Sequence, residues 1–175
     1  MSETAQKKSE NSKKQNVAIG TSITLERLEK EQISVIAEAV IKDINDEKKE
    51  ATANQIRNFL TDMVSIRNQL ESNKTGQEEG KKTANSRSLV KDMMKKLDSL
   101  KMHLVYQAAR NNGNLKNLMK KANLVYLIDT IIKKSAEDAS SQNTTGKDIA
   151  KNFYLLANYV EALIAYHKYY ESEKV

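Results

Sequence analysis

Apolar side chains along this 175-residue chain return every three or four positions, in blocks bounded by polar stretches. That is the spacing of amphipathic helices. Residues 1–23 carry no such period and are rich in Ser, Asn, Gln and Lys, which predicts a mobile polar tail. A first helix is predicted from about Leu25 to Ile44, with scattered apolar positions, ended by the charged run Asn45–Glu50. Thr52-Ala53-Asn54-Gln55 reads as a capping box and starts a second helix. Its apolar face is Ile56, Phe59, Leu60, Met63, Val64 and Leu70, and it ends near Ser72. Residues 73–85, with Gly76 and Gly80, have nothing to bury and read as a loop. A third helix follows from about Ser86 to Asn111, with Leu89, Met93, Leu97, Leu100 and Leu104 as its stripe. Gly113 can take the left-handed conformation beyond its end, and Asn114 can cap a fourth helix from Leu115 to about Glu137. After a polar loop at 138–144, Thr145 caps a fifth helix whose core face is Phe153, Leu156, Ala157, Val160 and Ile164. Leu155, Tyr159, Leu163 and Tyr166 widen that face, as in a helix central to a bundle or shared with a partner.

No strand-like alternation and no internal repeat stands out. Proline, the strongest helix breaker, is absent. The expected class is all-α: a compact bundle of about five helices, one domain over residues 24–175 behind a tail at 1–23. Cysteine is also absent, which excludes disulfides, thiolate zinc sites and cysteine nucleophiles and fits a cytoplasmic protein. The N-terminus has no apolar segment of the secretory kind, and no run approaches the roughly 20 apolar residues that cross a bilayer.

Charge divides the chain. The formal total of +6 combines a net +2 over residues 1–24, a net −3 over residues 25–50 and a net +7 over residues 51–175. Residues 82–121 hold ten basic side chains against Asp92 and Asp98. So concentrated a field attracts polyanions, although surface lysines also simply keep helices in solution.

Catalytic signatures are missing: no phosphate-binding glycine loop, dinucleotide fingerprint or metal-ligand spacing. No cofactor or metal is expected. Only His103 and His167, 64 residues apart, could move protons near neutral pH, so a two-histidine ribonuclease is one alternative reading. Glu161 adjoins the apolar face of the last helix and needs a cation if it is partly buried. Arg67 lies on the apolar stripe of the second helix, roughly 20° from Ile56, and is the expected partner, with Arg110 a competitor. On the third helix Lys96, Ser99, His103, Tyr106 and Arg110 fall within about 80° of one another. Cations and a hydroxyl suit phosphate oxygens, and flat groups suit bases or ribose. Packing of Tyr106 against another helix, beside solvated cations, would make the same pattern. The run Ala165-Tyr166-His167-Lys168-Tyr169-Tyr170 likewise suits either RNA or a subunit interface.

Three blocks carry a family resemblance: Thr52-Ala53-Asn54-Gln55-Ile56-Arg57-Asn58-Phe59-Leu60, Leu100-Lys101-Met102-His103-Leu104-Val105-Tyr106-Gln107-Ala108-Ala109-Arg110, and Tyr159-Val160-Glu161-Ala162-Leu163-Ile164-Ala165-Tyr166-His167-Lys168-Tyr169-Tyr170. In this order and spacing they resemble the small helical subunit of type III-A CRISPR (Csm) effector complexes, over about residues 51–171. The resemblance implies a non-catalytic helical bundle, several copies of which stack along guide RNA and target RNA and contact other effector subunits. It points to Arg57, Arg110 and Lys168 as residues that touch RNA or hold the RNA face together. Ala109 stands where the family usually has glycine, and Glu171-Ser172-Glu173 where it tends to end in glycines. An RNA face built on the third helix requires Lys96, Lys101, His103 and Arg110 to open onto one groove. A protein-only adaptor, with wide apolar helices docking other subunits, is the other alternative.

Overall fold

The computed structural model describes residues 22–46, 53–75, 82–110, 114–140 and 146–172. Among these there are seven helices and no strand: α1 Leu25–Lys30, α2 Ile33–Asp46, α3 Ala53–Thr75, α4 Lys82–Arg110, α5 Asn114–Lys121, α6 Leu124–Ser140 and α7 Gly146–Ser172. The all-α class stands. The count exceeds the expected five because two of the expected helices are each broken in two.

The first break falls at Glu31-Gln32. Thr24 caps α1, its Oγ1 accepting from the Arg27 amide, and Glu31 is extended with its own N–H donating to the Arg27 carbonyl. Restarting the helix at Ile33 resets its phase. Ile36, Ala37, Val40, Ile41 and Ile44 form one stripe on α2, each at most 5% exposed, and the restart changes only how that stripe is oriented relative to Leu25 and Leu28 of α1.

The second break falls at Asn123, whose φ of 53° is left-handed. Asn tolerates that conformation because its short polar side chain bonds locally. Here Asn123 Nδ2 donates to Ser22 Oγ at 3.0 Å and to the Ile23 carbonyl at 2.7 Å. The Asn123 carbonyl accepts from the Leu127 amide and opens α6. One residue thus ends α5, starts α6 and pins the segment before α1, where Ile23 is buried.

Three helices also overrun their expected ends. Residues 73–75 belong to α3, Lys82 to Asn85 to α4, and residues 138–140 to α6. Residues 1–21, the Thr52 and Thr145 caps and Gly113 lie outside the described residues.

The core is organised on α7, about 40 Å long at 1.5 Å per residue. It packs on α1, α2, α3, α4 and α6. Phe153, Leu156 and Tyr159 are fully buried along it, which answers the width of its apolar face: α7 is central. Leu97 and Leu104 of α4, Met63 of α3 and Leu127, Ile128 and Ile131 of α6 complete one contiguous core. Each large aliphatic side chain buried in this way contributes about 1.5–3 kcal/mol.

Candidate nucleic-acid interface

α4 carries the candidate site because only one edge of it is buried. Met93, Leu97, Leu100, Leu104 and Ala108 face inward, a spacing of four, three, four and four residues that leaves most of the helix circumference to solvent. Ser99, His103, Tyr106 and Arg110 are exposed and Lys96 is half-buried, all on one flank of that stripe. Lys96 and Arg110 form no ion pair with any described residue.

His103 is oriented from both sides. Its Nδ1 lies 3.0 Å from Asp62 Oδ2 on α3, and its Nε2 lies 3.2 Å from the Gln107 amide nitrogen one turn along α4. Nδ1–H donating to the carboxylate, with Nε2 accepting from the amide, satisfies both contacts. Asp62 was not legible as a site residue. Its only mark in the sequence is a helical phase beside the Phe59–Met63 stripe, and the neighbour it faces is set by the α3–α4 packing.

Lys101 does not join this flank. Two residues before His103, it points about 160° away around the helix, toward α6. Its Nζ lies 2.8 Å from Asp129 and 3.2 Å from Asp98. The bond to Asp129, with that to Asp98, raises its pKa and keeps it cationic. Its charge is neutralised by two carboxylates on its own side, so the groove expected to contain both Lys101 and His103 is not formed.

Other expected residues lie elsewhere. Arg67 Nη1 donates to Glu161 Oε1 at 2.9 Å across α3 and α7, while the Arg67 guanidinium also meets Glu71 at 3.3 Å and lies 6.0 Å from the Tyr154 ring centre. The Arg67 and Glu161 side chains are 35% and 44% exposed, so this is a surface pair rather than a partly buried one. Arg110 makes no bond to Glu161 among the described residues. Lys168 is exposed on α7, and the side chain of Arg57 lies outside the described residues.

The C-terminal aromatic run divides by function. Tyr170 donates to Glu38 Oε1 at 2.7 Å, and Lys42, itself 2.7 Å from Glu38, sits 5.7 Å over the Tyr170 ring. Those contacts tie the end of α7 to α2. His167 is buried, whereas Lys168 and Tyr169 face solvent. With one imidazole in the interior and the other at the surface of α4, the pair that a two-histidine ribonuclease needs is not assembled at one surface.

The family model described as Csm2 Type III-A matches residues 27–173. The chain belongs to this family. It is therefore a small subunit of the type III-A CRISPR Csm complex. The matched span takes in α2, upstream of the motifs that begin at Thr52, and α2 packs against the central α7. No curated protein gives a significant match, and no solved structure does. No described helix is long and apolar enough to cross a membrane, and no metal-binding cluster occurs among the described residues.

Proposed function

We propose that this Csm2-family subunit is a non-catalytic, sequence-independent RNA-binding protein that lies along guide and target RNA in the cytoplasmic effector complex. In that role it contacts the other subunits and further copies of itself. One observation carries the reading: Lys96 and Arg110 present charge without a described acidic partner, aligned on one flank of α4 with Ser99, His103 and Tyr106. A subunit that serves any guide must hold phosphate and ribose without reading base edges, and this flank has the groups for that. The family resemblance adds Lys168 and Arg57 as further expected RNA contacts. Each contact is worth little alone, but copies ranged on one strand act through raised effective concentration.

The test is a salt titration of binding to a fluorescein-labelled uridine oligomer, read by anisotropy. Each lost phosphate contact lowers the slope of log affinity against log salt by about 0.7 on a single strand. Lys96→Ala with Arg110→Ala should therefore flatten the slope by about 1.4, with the melting temperature held. Lys101→Ala should alter it far less, since that ammonium is already matched by Asp98 and Asp129. Equal slopes for the parent and the Lys96/Arg110 double variant would remove α4 as the RNA face. No affinity even at low salt would leave the protein-only adaptor.

A further inference from the structure

The solvent side of α4 includes a stretch that a purely water-facing helix would not have. Met102, Val105 and Tyr106 are 58%, 47% and 60% exposed, and Ala109 is exposed beyond them. Positions i, i+3, i+4 and i+7 form a single ridge. Across the seam that Lys101 and Asp129 close at 2.8 Å, Tyr126 of α6 is 49% exposed. Val105 follows Lys101 by one turn on the α6-facing side of α4, and Tyr126 precedes Asp129 by about one turn on α6. Single exposed apolar residues are ordinary, but several together mark a docking surface.

The rim of the patch is cationic. Lys91 and Lys95 share the face of Met102 nearer the start of α4, Arg110 stands at its end, and Lys133 shares the face of Tyr126. None of these four makes an ion pair with a described residue. The carboxylates at this seam, Asp98 and Asp129, are both committed to Lys101.

We propose that this face docks an acidic amphipathic helix of a partner protein. Its aliphatic ridge would seat on Met102, Val105 and Tyr126, with its carboxylates meeting Lys91, Lys95, Arg110 and Lys133. The chemistry selects this occupant over two others. RNA bases could stack on Tyr106 and Tyr126 at the edges of the patch, but Met102 and Val105 at its centre are a thioether and a branched aliphatic chain, which an aliphatic ridge covers and a base does not stack on. On a second copy the acidic stretch formed by α1 and α2 is already matched, since Glu26, Glu29, Glu31, Glu38 and Asp43 are all held in ion pairs. An apolar ridge flanked by carboxylates meets both demands, burying the aliphatic centre and satisfying the rim. Arg110 and Tyr106 are shared with the proposed RNA flank, whereas Met102, Val105, Tyr126, Lys91, Lys95 and Lys133 are not, and the proposal stands on these.

The experiment uses the full chain and two fluorescein-labelled helical peptides, each with leucines on one face, the other face being glutamates in one and lysines in the other. Anisotropy should show binding of the glutamate peptide alone. Met102→Ser with Val105→Ser should weaken it about tenfold or more. Affinity for the uridine oligomer and the melting temperature should stay put, since both side chains are exposed. Lys91→Glu with Lys95→Glu should move the preference toward the lysine peptide. Failure of the glutamate peptide to bind, or equal binding of both peptides, overturns the proposal. So does loss of uridine-oligomer affinity in the serine variant, which would give the patch to RNA. Sedimentation showing that the parent self-associates and the serine variant does not would give the patch to a second copy, and would overturn the proposal as well.

Discussion

Two substitutions at Asn123 separate what its backbone does from what its side chain does. A φ of 53° costs a residue with an ordinary Cβ about 1–2 kcal/mol, a cost that Gly does not bear and that Asn bears more easily than most. The side chain adds a part-buried bond to the Ile23 carbonyl at 2.7 Å and an exposed one to Ser22 at 3.0 Å. The first contributes about 1 kcal/mol and the second a fraction of that. Asn123→Gly removes only the bonds and should cost about 1–1.5 kcal/mol. Asn123→Ala removes them and forces a Cβ into the left-handed region, for a total of about 2–3 kcal/mol. At this chain length each kcal/mol moves the melting temperature by roughly 2–4 °C. Calorimetry should thus place the Gly variant a few degrees below the parent and the Ala variant about as far again below the Gly variant. Uridine-oligomer affinity should persist in both, because the proposed flank lies on α4. Equal melting temperatures for the two variants would refute the backbone argument, and an Ala variant as stable as the parent would refute both.

Tyr159 is fully buried, its hydroxyl has no hydrogen-bond partner among the described residues, and burial pushes its pKa up. Tyr159→Phe should therefore raise stability by about 1 kcal/mol in denaturant titration, and a clear loss would mean that the hydroxyl is bonded. Arg67→Ala breaks a pair whose side chains are 35% and 44% exposed, so it should cost no more than about 1 kcal/mol, less in high salt. A loss of about 3 kcal/mol or more would instead indicate a buried pair. Glu38 is held below its ordinary pKa of 4.5, first by the Lys42 ammonium and then by the Tyr170 hydroxyl. Its folded pKa is the lower one, so its contribution is complete above pH 4.5 and fades as pH falls through the folded value. Melting temperature should fall less steeply below that pH in Glu38→Gln than in the parent, and parallel curves would show that the carboxylate plays no part.

The sequence by itself determined the all-α class, because helical periodicity and the lack of proline act locally, within a turn or two. It also placed Lys96, Ser99, His103, Tyr106 and Arg110 together, since residues on one rigid helix keep their angular order whatever surrounds it. It could not give the break at Glu31-Gln32, which lets α1 and α2 each turn its own buried stripe onto α7. Nor could it give the left-handed turn at Asn123, which is held by a bond to Ile23 a hundred residues away. Asn123 within an apolar run was the one local hint. Tertiary structure alone decided which cations were available. Lys101 and Lys96 are equivalent as residues, but α6 brings Asp129 to the first, while nothing described approaches the second with a carboxylate. The same packing placed Asp62 beside His103 and left Met102 and Val105 uncovered. Charge and apolar surface are properties of single side chains. Whether either is spent inside the fold or left for a partner depends on which helices become neighbours, and long-range packing sets that.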